Sequence, residues 1–224
     1  MLQWVHISKV HIRKISQLDS VSERWEEIHG RKPNEDDVDE MFADFVPLQL
    51  ACLADYSDLI PGTLEAITHF RERGLKIGST TGYLPEIMAM LKEEASQRGY
   101  GPDSPVCAGD VPAGRPEPWM CLENAKNLGV YPMESIVKVD DTLPGIDEGL
   151  NAGMWSIGLA KTGNEIGLNQ EEIEALTADE LQVKLEGAYR RMWQVGAHYV
   201  VDGIWDVPIV LDLIDERLSR GERP

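Results

Sequence analysis

The chain has 224 residues, 42% hydrophobic and 27% charged, which fits a folded globular protein with one α/β core and a small accessory domain and excludes disordered and fibrous classes. Thirty-nine Asp and Glu against 21 Lys and Arg leave a net charge of −18, which repels a phosphate backbone and excludes nucleic acid and anionic membranes as partners. Cys52, Cys107 and Cys121 form no C-x-x-C and no metal-ligand pair, no apolar run approaches the ~20 residues of a membrane span, and the opening Met-Leu-Gln-Trp-Val-His lacks a signal pattern, so the expected setting is the cytoplasm.

From residue 4 to about 55 the sequence reads as helices. Val5, Ile7, Val10, Ile12 and Ile15 recur at loose helical spacing, and Val21, Trp25 and Ile28 follow. Residues 33–37 predict a loop and an N-cap for a helix through Met41, Phe45, Leu48 and Leu50. This gives a small helical domain over 1–55. After Ile60-Pro61-Gly62-Thr63 helices alternate with short β-branched runs, as in βαβ units with a parallel sheet, which places an α/β core over 56–224. Strands are expected at 75–78, 105–108, 135–139, 154–159 and 198–201, and helices at 64–73, 84–98, 119–128, 170–194 and 207–218, with a further helix ending at 149–153.

In doubly wound sheets ligands sit beyond the carboxyl ends of the strands. The polar runs there are Ser79-Thr80-Thr81-Gly82-Tyr83, Gly109 through Pro116 with Arg115, and Asp140-Asp141-Thr142. A hydroxyl beside backbone N–H groups, a guanidinium and a carboxylate pair together suit a phosphoryl group and a divalent cation, whose chemistry rests on positioning and charge stabilisation. Each run also has a plainer reading. Ser-Thr-Thr-Gly and the two aspartates can cap helices, and Arg115 can be a solvated loop charge.

The runs Gly-Ser-Thr-Thr-Gly-Tyr at 78–83, Asp-Val-Pro-Ala-Gly-Arg-Pro-x-Pro-Trp-Met at 110–120, Leu-Gly-Val-Tyr-Pro-Met at 128–133 and Glu-Gly-x-Asn-Ala-Gly-Met-Trp at 148–155 closely resemble phosphonoacetaldehyde hydrolases of the haloacid dehalogenase superfamily, from about residue 11 to the C-terminus. The resemblance implies a Rossmann-like parallel core with a helical cap, and hydrolysis of the C–P bond of phosphonoacetaldehyde to acetaldehyde and phosphate. It implies a cap lysine forming a Schiff base, an aspartate accepting the phosphoryl group, and Mg2+ as charge clamp. Matched to the motifs, Thr81 binds phosphoryl oxygens, Arg115 neutralises their charge, Asp141 with Asp140 holds the metal, and Gly82 and Tyr83 line the substrate pocket. A homodimer through the cap is the implied assembly.

The sequence departs from the family pattern in three places. No Asp-Trp-Ala-Gly-Thr-like run, the family's nucleophile motif, occurs in the 224 residues. The metal loop reads Val139-Asp140-Asp141-Thr142-Leu143-Pro144-Gly145, where the family has Val-Gly-Asp-Thr and a second acid four residues after the first; Gly145 brings no ligand, and Asp140 or Asp147 is left to compensate. The family's cap lysine stands three residues before a histidine. Here Lys9 precedes His11 by two, roughly 200° around a helix, so the two face apart, and Lys9 and Lys14 read equally as solvated charges.

In that superfamily the nucleophile strand is central. A core without it is expected to be marginal, because each unpaired buried backbone group costs about 1–3 kcal/mol against a domain stability of about 5–15 kcal/mol. The chain is accordingly expected to be a truncated form of a longer enzyme, its gap open or filled by a rearranged N-terminus or another chain. Besides a hydrolase, the sequence admits a phosphonate- or phosphate-binding paralogue without turnover, or a general phosphatase of the same superfamily.

Overall fold

The computed structural model describes residue 9 and residues 11–224. The expected helical run over residues 4–8, and the first six residues read for a signal pattern, lie outside the described residues. Residues 11–16 are helical, followed by α1 (Asp19–His29) and α2 (Glu35–Cys52). The break between α1 and α2 is set by Gly30 at φ 71° and by Asn34, whose side chain accepts from the Asp36 and Asp37 N–H groups while the Asp37 carboxylate takes the Asn34 N–H. Arg31 clamps the same Asp37 at 2.5 and 2.7 Å, holding that carboxyl down at about 2.

The α/β part follows the expected alternation. Helix α3 (Thr63–Glu72) leads to β1 (Gly78–Thr81), then α4 (Pro85–Gln97), β2 (Ser104–Cys107), α5 (Trp119–Leu128), β3 (Val137–Asp140), α6 (Leu143–Asn151) and β4 (Trp155–Leu159). Helices α7 (Gln170–Glu174) and α8 (Ala178–Gln194), β5 (Tyr199–Val201) and α9 (Val207–Ser219) complete the order.

Two expectations change. The run 75–78 was expected as the first strand, but the ladder begins only at Gly78, because Ser104 of β2 is its first partner and the Asp103 carboxylate takes the Ile77 N–H at 2.8 Å. The single helix expected over 170–194 is two, since Thr177 accepts the Glu180 N–H and Glu180 takes the Thr177 N–H, starting a new helix there.

Among the described residues all strand pairs are parallel, but they form two sheets, β1–β2 and β3–β4–β5. β4 is buried on both faces, as parallel strands under helices are. Trp155 and Ile157 pack with Phe70 of α3 and with Val207, Val210 and Ile214 of α9. The opposite layer joins Ile146 of α6 to Ala188 and Met192 of α8. Each fully buried large side chain contributes about 1.5–3 kcal/mol, so β4 is the anchor of the larger sheet. Among the described residues no helix is long and apolar enough to cross a membrane.

Candidate active site

Between β1 and β3 the described residues form no backbone ladder, and polar side chains bridge the seam instead. In β3 the alternation of a strand sends Lys138 and Asp140 to the same buried face. Lys138 Nζ reaches Thr80 Oγ1 of β1 at 2.5 Å and Glu148 Oε2 of α6 at 2.8 Å. Glu148 is fully buried; its Oε2 also accepts from Thr80 Oγ1 at 3.1 Å, and its Oε1 has no partner. α6 comes this close because Gly149 faces β3, where a Cβ would lie 2.6 Å from that of Lys138.

The loop after β2 carries Arg115 into this cluster. Its Nε donates to Glu148 Oε2 at 3.2 Å, and its Nη2 donates to the Thr80 carbonyl at 3.1 Å and the Thr80 hydroxyl at 3.0 Å. Nη2 also pairs with Asp140 Oδ2 at 2.9 Å, and Nη1 reaches Thr142 Oγ1 at 3.4 Å. Asp140 Oδ1 accepts from the Thr142 N–H at 3.0 Å and hydroxyl at 2.7 Å. Burial alone would push the Asp140 carboxyl up, but Lys138, Arg115 and Thr142 outweigh it and hold it below the ordinary carboxylate range. Two cations thus face two carboxylates, the balance a buried charge cluster requires.

The predicted site residues are placed unevenly. Arg115 meets the immediate neighbours of Thr81 and Asp141 at one rim of the strands, namely Thr80, Asp140 and Thr142. Thr81 Oγ1 instead accepts the Tyr83 N–H at 3.2 Å, with Gly82 and Tyr83 exposed beside it. Asp141 Oδ2 accepts the Asn164 N–H at 3.0 Å, in a loop where Gly163 packs on its side chain. Lys9 pairs with Asp39 of α2, one turn before Arg13, which pairs with Glu35 of the same helix at 2.6 Å. His11 is exposed and lies off that face, in line with the two-residue spacing. Neither Lys9 nor His11 is among the partners of Arg115, Asp140 or Glu148 given above.

Asp140, expected as a metal ligand, has its oxygens committed to Lys138, Arg115 and Thr142. Magnesium needs several hard oxygen ligands. Asp141 offers one carboxylate, Gly145 offers nothing, and among the described residues no group of three His, Cys, Asp or Glu side chains could hold a metal. The described side chains alone do not complete a magnesium site.

Thr80, Lys138 and Glu148 escaped the sequence reading. One signal was present: a lysine inside the apolar run Ile136-Val137-Lys138-Val139 demands a buried partner, and Glu148 lies one element later.

The family model for haloacid dehalogenase-like hydrolases matches residues 6–153. A phosphonoacetaldehyde hydrolase of Syntrophobacter fumaroxidans is 50% identical over 214 residues, 96% of this chain and 77% of that protein. One from Klebsiella pneumoniae is 45% identical over 96% of this chain and 80% of its own length. A crystal structure of a phosphonoacetaldehyde hydrolase-like protein from Oleispira antarctica superposes with a TM-score of 0.89 at 41% identity, covering 97% of this chain and 79% of that one. The chain belongs to the phosphonoacetaldehyde hydrolase family. Its α/β fold is that of the haloacid dehalogenase-like hydrolases, and the polar seam takes Thr80, Arg115 and Glu148 from the runs 78–83, 110–120 and 148–155.

Proposed function

We propose that this chain recognises the phosphonate of phosphonoacetaldehyde at the rim formed by Thr81, Arg115 and Asp141, as part of an enzyme that cleaves the C–P bond to acetaldehyde and phosphate. The observation that carries the proposal is the convergence of Arg115 with Thr80, Asp140 and Thr142 at the strand ends. A guanidinium in that position matches the planar, bidentate recognition of a phosphoryl group. The C–P bond breaks only if carbon can receive its electron pair. A lysine amine condensing with the aldehyde supplies that sink, because the protonated imine nitrogen accepts the pair while phosphorus passes to a carboxylate. The resulting enamine takes a proton at carbon and returns to the imine, and water then cleaves the imine and the acyl phosphate. Lys9 is the first candidate for the amine and His11 for the group beside it, with Gly82 and Tyr83 at the pocket wall. In the same reading residues 1–55 act as a cap over 56–224, two chains associate through their caps, the enzyme works in the cytoplasm, and magnesium, which the resemblance implies, needs ligands beyond those described.

The pairing of Lys9 with Asp39 favours a second reading, binding without turnover. Acetaldehyde release, coupled to NADH oxidation by alcohol dehydrogenase, separates the two. The expectation is no turnover by the 224 residues alone and turnover by a fusion carrying an Asp-bearing strand ahead of residue 1. A fusion that folds, binds phosphonate and releases no acetaldehyde refutes the hydrolase reading. Borohydride trapping and mass spectrometry would identify Lys9, Lys14 or neither as the imine lysine.

A further inference from the structure

We infer that Asp140 is an internal occupant of the anion-binding edge of Arg115, seated there by Gly145, and that it sets how tightly this rim binds a phosphoryl group. The inference rests on the reading of Arg115 given above. Anion recognition by arginine uses the two terminal nitrogens or one of them with Nε. Nε is already taken by Glu148 at 3.2 Å, and the terminal nitrogens face Asp140, with Nη2 to Oδ2 at 2.9 Å and Nη1 to Oδ1 at 3.5 Å. That is the end-on approach, through both terminal nitrogens, that two phosphoryl oxygens would make. An incoming dianion must therefore displace this carboxylate or share the guanidinium with it.

The seat is built rather than incidental. Asp140 is 7% exposed, and the Thr142 N–H and hydroxyl fix its Oδ1. A Cβ at Gly145 would fall 2.1 Å from the Asp140 carboxyl carbon, so the carboxylate occupies the room that any side chain at 145 would take. An acid at 140 and a glycine at 145 are thus one arrangement. It leaves the cluster of Lys138, Arg115, Asp140 and Glu148 electrically balanced, with no net positive charge to offer an anion.

The test measures binding of inorganic phosphate to the 224-residue chain by isothermal titration calorimetry, in the parent, Asp140→Asn, Asp140→Gly and Arg115→Gln. Neutralising Asp140 frees a charge-assisted donor edge, so Asp140→Asn should bind phosphate about tenfold more tightly than the parent, close to one charge-assisted hydrogen bond. Asp140→Gly should do the same, and it keeps the reading available if the Asn variant fails to fold, judged by its thermal melt. A merely structural role for Asp140 would loosen the rim and weaken binding. Unchanged or weaker phosphate binding in both Asp140 variants, including no detectable binding in any chain, overturns the inference. The underlying reading fails separately, when Arg115→Gln binds phosphate as well as the parent does.

Discussion

Truncating Glu148 is the sharpest perturbation the structure offers. Its carboxylate is fully buried and its Oε2 receives Lys138, Thr80 and Arg115 at 2.8, 3.1 and 3.2 Å. Glu148→Ala leaves the 8%-exposed Lys138 with Asp140 as its remaining anionic partner, at 3.2 Å. Breaking a buried pair from one side costs about 3–5 kcal/mol, and the surviving contact to Asp140 argues for the lower end, about 3 kcal/mol. In a domain of this size each kcal/mol moves the melting temperature by about 2–4 °C, so a drop of about 6–12 °C is expected. Replacing both members, Lys138→Met with Glu148→Leu, removes the stranded charge and should recover most of that loss. Differential scanning calorimetry of the parent, Lys138→Met, Glu148→Leu and the double variant closes the cycle, with Glu148→Ala measured beside them. A Glu148→Ala chain that melts within 2 °C of the parent, or a double variant less stable than either single one, would refute the claim that these side chains hold the seam.

Three further outcomes follow from the same coordinates. Gly145→Ala should lower stability by about 1–3 kcal/mol in urea denaturation, because its Cβ meets the Asp140 carboxylate, and adding Asp140→Gly should cancel most of that cost; equal losses in both backgrounds would show that the contact is not responsible. Asp37 has its carboxyl lowered from 3.8 to about 2, by the Arg31 hydrogen bond first, so its stabilisation is complete above about pH 4 and fades as pH falls toward 2. Asp37→Asn should flatten the acid limb of an ellipticity titration, and a limb identical to the parent's would count against the pairing. Burial pushes the Cys121 thiol up to about 12 and raises that of Cys107, whereas Cys52 is exposed, so a disulfide reagent should modify Cys52 in the native protein and reach the other two only on unfolding; rapid modification of all three would contradict the packing.

Much of the fold could be read from residues that act locally. Asn34 and Thr142 cap the helices that follow them, Gly129 closes α5 at φ 63°, and β-branched runs mark β3 and β5. The break at Thr177 is local but went unread, and the other failures depended on partners distant in sequence. Leu75-Lys76-Ile77 has strand composition, but where pairing starts is decided by Ser104 and Asp103 some 26 residues later. That offset has a consequence for the site. Side chains alternate along a strand, so moving the strand onto residues 78–81 turns Thr80, not Thr81, toward Lys138 and Arg115. Arg115, the threonine pair and the aspartate pair marked the strand ends in the sequence, but Arg115 meets Thr80 and Asp140 rather than the expected Thr81 and Asp141. The Lys138–Glu148 contact was not legible, since ten residues of separation in a βα unit place two side chains together only once the turn between them is known.

A parallel ladder tolerates nearly any substitution, because every residue except proline brings the same amide and carbonyl. The junction of β1 with β3 has no such redundancy. It is written in the ammonium of Lys138, the guanidinium of Arg115, the carboxylates of Asp140 and Glu148 and the hydroxyl of Thr80, so this stretch of the core answers to charge where the rest answers to shape.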